Sequence, residues 1–294
     1  MWNNSFSPQP PVVREALSEA VSFLKRRGIP QPRLEAEVLL AALLGEERVK
    51  LITHDRRLLP PSLWKEYQEL LRKRGEGWPL QYLTGRQEFM SLSFKVNPAV
   101  LIPRADTEVL VEKVLSYKET GTGSQIKHIV DVGTGSGAIA VSLAYYWPEV
   151  KVTGVDVSPE ALAVARENAA IHGVEVEWIR GDLLTPLINA RRKVQLVVSN
   201  PPYIPAGDLP SLSREVRKEP ALALNGGPDG LDYYRCLAAQ APSCLEAPGL
   251  IALEIGWDQG EAVRELLERA GFTGIEIGRD YAGRDRVVTA VWRP

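Results

Sequence analysis

Between residues 126 and 292 short runs rich in β-branched residues alternate with longer stretches of helical periodicity, and this alternation limits the possible folds more than any other feature. Strands are expected at 129–132, 151–156, 174–179, 194–199 and 250–255, with helices at 137–147, 159–171, 231–245 and 259–270. Ser158 is placed to cap the second of these helices, with Pro159 in its first turn. A helix between two strands carries the chain back over one face of the sheet, so the strands pair in parallel and are covered on both sides. The last two expected strands, 272–277 and 286–292, are joined without a helix and are therefore expected to be antiparallel.

The first third reads differently. Apolar positions recur at helical spacing over 13–27 and 34–44, and a third helix starts after Pro60-Pro61 and runs to about residue 74. Residues 1–11, with Pro8, Pro10 and Pro11, read as a loose tail. The resulting small bundle has little core of its own. Residues 88–96 alternate as strands of a hairpin, 107–117 is a helix, and 120–124 is a Gly/Thr/Ser linker. The expected domains are a helical bundle over 1–86 serving as a docking surface, a hairpin and linker helix over 87–124, and an α/β domain over 125–294.

Composition narrows the class. With 45% hydrophobic and 24% charged residues the 294-residue chain is that of a soluble globular protein, and its apolar runs fall far short of a membrane span. The N-terminus lacks the basic start and apolar core of a secretory signal. Two cysteines, Cys236 and Cys244, cannot build a disulfide framework, which points to a reducing cytoplasm. The three histidines, His54, His128 and His172, are scattered, so no metal is expected. Net charge is −2, divided as +4 over residues 1–86 and −6 over the remainder. That balance does not favour an obligate nucleic-acid partner.

Two stretches carry chemistry. Asp131-Val132-Gly133-Thr134-Gly135-Ser136-Gly137 lies where an expected strand turns into a helix, and its glycines let a ligand approach backbone and helix N-terminus. The stretch also fits the dinucleotide pattern G-x-G-x-x-A, so a hydride-transfer cofactor is an alternative. Asp131, however, would set a carboxylate near a pyrophosphate, and suits instead a cofactor with a cationic ammonium and sulfonium such as S-adenosylmethionine. Asp156 ends the next strand, 19 residues beyond Gly137, where an acidic side chain can accept from both ribose hydroxyls. Asp182, followed by Leu183, is a candidate for the adenine amino group or else a solvated turn residue.

The second stretch is Asn200-Pro201-Pro202-Tyr203 at the end of strand 194–199. Neither proline can donate to a ladder, so the carbonyls of Asn200 and Pro201 are held in a stiff turn. The Asn200 side chain adds a further acceptor and Tyr203 a flat aromatic face. Acceptors beside a stacking plane suit a planar NH2 group whose lone pair is tied up by conjugation. Taken alone, Asn-Pro-Pro also serves as plain punctuation of a strand.

Together, Asp131-x-Gly133-x-Gly135-x-Gly137 and Asn200-Pro201-Pro202-Tyr203 resemble the Rossmann-like amino-methyltransferases that act on adenine, cytosine or glutamine nitrogens. Four further stretches, 79–85, 101–108, 219–231 and 278–286, make the chain similar to the release-factor glutamine methyltransferases of the HemK type over about 13–292. The resemblance implies an N-terminal helical bundle and hairpin leading to a seven-stranded S-adenosylmethionine-dependent methyltransferase domain. It implies methylation of the side-chain amide of the glutamine in the Gly-Gly-Gln motif of class I peptide chain release factors, by an enzyme expected to act as a monomer. By motif match, Gly133 to Gly137 and Asp156 are implied as cofactor residues, and Asn200, Pro201, Pro202 and Tyr203 as substrate residues, Asn200 and Pro201 being catalytic. Leu183 stands where some relatives place an aromatic against adenine, and Ala105 where proline is commoner. The alternative is an adenine or cytosine amino-methyltransferase acting on nucleic acid, which needs a basic groove that residues 87–294 do not supply. A non-catalytic binding module is the other class, and intact cofactor and acceptor motifs in one chain speak against it.

Overall fold

The computed structural model describes residues 6–7, 9–121 and 123–293. Residues 1–5 and 8 of the expected tail and 122 of the expected linker lie outside the described residues. The chain divides into two compact units, Met1–Arg86 with Ser213–Lys218, and Gln87–Leu212 with Glu219–Pro294.

The first unit contains α1 (Val13–Arg26), α2 (Pro32–Leu44), α3 (Arg48–Thr53), α4 (Pro61–Gly75) and α5 (Leu80–Thr84). Gly45 ends α2 in the left-handed conformation, and proline stands in the first turn of α2 and α4, as local chemistry dictates. Helices α3 and α5 are not expected from the sequence: one to two turns are too few to display a period of 3.6. The core is built from Val13, Ala16, Leu24, Leu39, Leu40, Trp64, Tyr67 and Leu71, and the Tyr67 hydroxyl donates to the Ala36 carbonyl at 2.8 Å. Arg74 is buried in this unit. It donates to Glu35 through both Nε and Nη2, to Glu215 at 2.8 Å and to the Trp78 carbonyl at 3.2 Å. Glu215 belongs to the returning segment Ser213–Lys218, and Lys218 Nζ of the same segment lies 5.2 Å from the centroid of the Trp78 ring.

A hairpin, β1 (Arg86–Phe89) and β2 (Leu92–Lys95), lies in the second unit from Gln87 on and is followed by α6 (Ala105–Ser116). A seven-stranded sheet follows, from β3 (His128–Val132), β4 (Lys151–Asp156), β5 (Glu177–Arg180), β6 (Val194–Ser199), β7 (Leu245–Glu254), β8 (Phe272–Arg279) and β9 (Asp285–Trp292), in the order β5-β4-β3-β6-β7-β9-β8. The five strands from β5 to β7 are parallel, while β9 runs antiparallel between β7 and β8, in agreement with the antiparallel pairing expected of the closing strands. Alternation within the strands supplies both faces. Ile129, Leu196, Val198, Leu250 and Ala252 join α6 and α7 (Ala138–Tyr146) in one core cluster, and Val130, Val132, Val197, Ile251 and Leu253 join α10 (Asp232–Cys244) and α11 (Gly260–Arg269) in the other. Helix α8 (Pro159–His172) has the expected Ser158 cap, its hydroxyl accepting from the Ala161 N–H at 3.0 Å.

The remaining differences from expectation are local. Strand β5 starts at Glu177, with Val174 and Val176 packed against the core ahead of it. Strand β7 starts at Leu245, where a register shift lets Leu245 pair with Val194. A short helix, α9 (Thr185–Asn189), occupies a stretch with no visible periodicity. Among the described residues no helix is long and apolar enough to cross a membrane, and no group of His, Cys, Asp or Glu side chains is placed to hold a metal ion.

Candidate active site

The chain runs from β3 outward through β4 to β5 and then returns to place β6 on the other side of β3. The carboxyl ends of β3 and β6 thus flank the point where strand order reverses, the position at which open α/β sheets leave a ligand crevice. Val132 pairs with Ser199, and the Ser199 hydroxyl donates to the Val132 carbonyl at 2.6 Å, pinning the two strand ends together. The next residues are Gly133 and Asn200. Two motifs separated by more than sixty residues in the chain therefore open into one cleft of about 230 Å³, as the crevice reading requires.

Among the sequence-derived candidates, Gly133, Gly135, Asp156, Asp182, Leu183, Asn200, Pro201 and Pro202 line this cleft. Asp131, Thr134, Ser136, Gly137 and Tyr203 do not. Gly133 and Gly135 have φ of +71° and +55°, and a Cβ on either would project into open space at the cleft floor. Gly137 is required for packing instead: a Cβ there would stand 3.0 Å from Ala165 and 3.1 Å from Trp178.

Asp131 lies fully buried beneath the loop, not in contact range of the cleft. One of its oxygens accepts from the Thr134 hydroxyl at 2.6 Å and the Ala140 N–H at 3.2 Å, while Oδ1 has no partner among the described residues. Burial pushes its carboxyl up to about 7, against the pull of those two donors. A carboxylate so placed sets the loop geometry and adds negative potential below the glycines, and a cation above them would favour its ionised form. Asp156 accepts from the Gly135 N–H at 2.8 Å and from the Ser158 N–H at 2.9 Å, which orients both oxygens and leaves lone pairs on each. Burial raises its carboxyl, opposed by these backbone donors.

The wall beyond Asp156 is apolar, formed by Val157, Ala161, Leu183, Leu222 and the Tyr233 ring. Leu183 is held at φ +48°, an unusual conformation for a branched side chain, with the following N–H bonded to Gln240 at 3.0 Å. Tyr233 supplies an aromatic from α10 that nothing in its local sequence marks. Among the described residues the charged side chains of the cleft are Asp156 and Asp182, and no Lys or Arg lines it. A diphosphate finds no countercharge here, whereas a neutral adenosine with a cationic tail meets a diol acceptor, an apolar slot and negative potential.

At the other end, the Asn200 side chain donates from Nδ2 to the Thr107 hydroxyl on α6 at 3.1 Å, which leaves Oδ1 as its acceptor. Tyr203 departs from expectation. Its ring packs against the core cluster that includes α10 residues, its carbonyl accepts from Gln259 Nε2 at 3.1 Å, and burial pushes its hydroxyl up to about 12. The ring is half-buried against this cluster and is not among the residues that line the cleft. The opposite wall, Leu101 with Pro220 and Ala223, is joined by Glu219, which is buried, accepts from the Ile102 N–H at 3.1 Å and forms an ion pair with Arg104.

Residues 15–85 match the family model described as PrmC N-terminal domain, and residues 105–217 that described as Methyltransferase small domain. A release factor glutamine methyltransferase of Moorella thermoacetica is 49% identical over 284 residues, covering 96% of this chain and 99% of that protein. One of Geobacter sulfurreducens is 43% identical over 277 residues, covering 94% of this chain and 95% of that protein. The hMettl16 catalytic domain, solved in complex with an RNA hairpin, superposes with a TM-score of 0.55 over 78% of this chain and 83% of that one, and at 14% identity shares the fold alone. With the cleft, its acceptor end and these relatives in agreement over nearly the full length, the chain belongs to the release factor glutamine methyltransferase family.

Proposed function

We propose that this protein transfers a methyl group from S-adenosylmethionine to the side-chain amide nitrogen of the glutamine in the Gly-Gly-Gln motif of class I peptide chain release factors. The observation that carries the reading is the side-chain carbonyl of Asn200, directed by the Thr107 bond and set one residue past the β3–β6 pair beside the glycine loop. S-adenosylmethionine, when bound, supplies an electrophilic methyl group on a sulfonium sulfur. The chain's own residues do the rest. Of the residues lining the cleft, Gly133 and Gly135 would admit the ligand to the backbone, Asp156 would take the ribose hydroxyls, and Asp182 with Leu183, Val157 and Tyr233 would take the adenine. Asn200 Oδ1 and the Pro201 carbonyl accept from the substrate NH2 and turn its lone pair away from conjugation toward the methyl carbon. The methyl group would pass from the sulfonium sulfur, leaving a neutral thioether, to the amide nitrogen, which would then release to water a proton made acidic by the new bond.

Mass spectrometry of a release factor incubated with labelled S-adenosylmethionine tests the reading. A methyl group on the Gly-Gly-Gln glutamine is the expected result, and an unmodified factor overturns it. The same reading implies a protein substrate without a nucleic-acid requirement, a monomeric enzyme and a cytoplasmic setting. Adenine or cytosine methylation is disfavoured by the −6 balance of residues 87–294.

Two expected outcomes follow from the division of labour. Asp156→Ala should weaken S-adenosylmethionine binding by about 1.5–3 kcal/mol, the worth of a charged acceptor lost to neutral donors, as read by titration calorimetry. Unchanged affinity would reduce Asp156 to a strand-end residue. The pocket around Asn200 reads only an amide, so selectivity among surface glutamines has to come from contacts elsewhere. We assign that role to the helical bundle over 1–86. A chain beginning near Gly85 should lose most of its preference in kcat/KM for intact release factor over a short Gly-Gly-Gln peptide. An unchanged ratio would make the bundle a folding support only.

A further inference from the structure

The amide of asparagine is nearly symmetric in shape, so packing alone does not decide whether its oxygen or its NH2 faces a cleft; hydrogen-bond polarity does. At Asn200 this choice is critical. With Oδ1 toward the cleft the side chain accepts from a substrate NH2, and with Nδ2 there it sets donor against donor. What holds the amide is Thr107, buried on the first turn of α6, whose hydroxyl receives the Nδ2 proton at 3.1 Å. A hydroxyl can, however, also donate, and a Thr107 that donated to Asn200 would stabilise the reversed amide.

The direction is decided by a third residue. Glu254, the last residue of β7, is 1% exposed and has Thr107 and Asn200 as its hydrogen-bonding neighbours, both favouring its charged form against a burial that pushes the carboxyl up to about 7. Its Oε2 has no partner among the described residues. In its charged form, which Thr107, the nearby Arg286 and Asn200 favour, the carboxylate only accepts, and it then draws the single hydroxyl proton of Thr107 toward itself and turns the lone pairs of Thr107 toward Asn200. The surroundings hold this geometry. Arg286, on β9, pairs with Asp106 next to Thr107 at 3.2 Å and with Asp280 at 3.3 Å, and donates to the Ile255 carbonyl at 3.2 Å. The Tyr234 hydroxyl donates to the Glu254 backbone carbonyl at 2.9 Å, fixing the end of β7 against α10.

We propose that Glu254 and Thr107 are positioning residues that set the polarity of the Asn200 amide, so that its carbonyl and not its NH2 faces the acceptor end of the cleft. The proposal rests on the glutamine-methylating reading for the part played by Asn200, but the polarity of the amide is measurable without turnover. Neither residue touches the cleft, and neither is reachable from the Asn-Pro-Pro-Tyr sequence: Thr107 is 93 residues from Asn200 in the chain.

The test uses the full-length enzyme, S-adenosylmethionine and a release factor carrying Gly-Gly-Gln. Thr107→Val keeps the shape and removes the hydroxyl, Glu254→Gln replaces the pure acceptor by a group that also donates, and Thr107→Ser retains the hydroxyl. Thr107→Val and Glu254→Gln are expected to lower kcat roughly tenfold or more with KM and cofactor affinity within about twofold, and Thr107→Ser to recover most of the loss. A release factor with Gly-Gly-Glu in place of Gly-Gly-Gln presents acceptors where the substrate presents donors. It should inhibit the two defective variants several-fold better than the wild type, because a freed Asn200 can offer its NH2. Equal losses in Thr107→Val and Thr107→Ser, or an unchanged inhibition ratio, would reduce the pair to packing and overturn the proposal. If the wild type fails to methylate the factor, the functional reading falls and the relay is judged by NMR of the Asn200 side-chain NH2. A shift in both Thr107→Val and Glu254→Gln supports the relay, and an unmoved resonance in either refutes it.

Discussion

Asn200→Ala is expected to lower turnover by roughly 10²–10³ while leaving S-adenosylmethionine affinity nearly unchanged, the magnitude typical of losing one hydrogen bond made at the reacting group. Alanine removes the side-chain carbonyl but leaves the Pro201-Pro202 turn, and the cofactor end of the cleft is built on other strands, through Gly133, Gly135 and Asp156. Single-turnover rates and calorimetric affinities on the same variant separate the two effects. Parallel loss of rate and cofactor affinity would mean that Asn200 belongs to the cofactor pocket and not to the acceptor.

The second large effect concerns stability. Arg74→Ala should destabilise the first unit by about 3–5 kcal/mol, because it strands the carboxylate of Glu35 without its guanidinium partner in a nearly dry site. The Arg74 side chain is 3% exposed and that of Glu35 11%, whereas Glu215, the other partner, is 43% exposed and can be satisfied by water. Removing both buried charges together, as Arg74→Met with Glu35→Leu, should recover most of the loss, since desolvation of the pair offsets much of its attraction. Hydrogen exchange of α2 and α4 in urea reads the local stability directly. A single variant no less stable than the double one would show that the ion pair contributes little.

The alternation of strands and helices from residue 126, the antiparallel close, the glycine loop and the Asn-Pro-Pro stop were legible because each is encoded within a few neighbouring residues. Backbone conformation at glycine and proline, capping at Ser158 and burial of β-branched runs are local preferences, and the fold honours them. Local reading reached its limit where length was too short for a period, as in α3, α5 and α9.

What the tertiary structure alone decided is where side chains point once strands are ordered. The same end-of-strand chemistry that made Asp131 and Tyr203 candidates places Asp131 beneath the loop and the half-buried Tyr203 ring against the core, neither of them among the residues lining the crevice. Conversely Thr107, Tyr233 and Glu254 carry no local mark. They come to lie at the cleft or behind it because β6 pairs with β3 and β7 and because α6 and α10 pack on opposite faces of that sheet, bringing together residues that the chain keeps far apart. Likewise Arg74 finds Glu215 across 141 residues of sequence, since a buried guanidinium needs acceptors wherever the fold supplies them. The sequence by itself determined the elements and the two motifs; the order of the strands determined which of their residues meet.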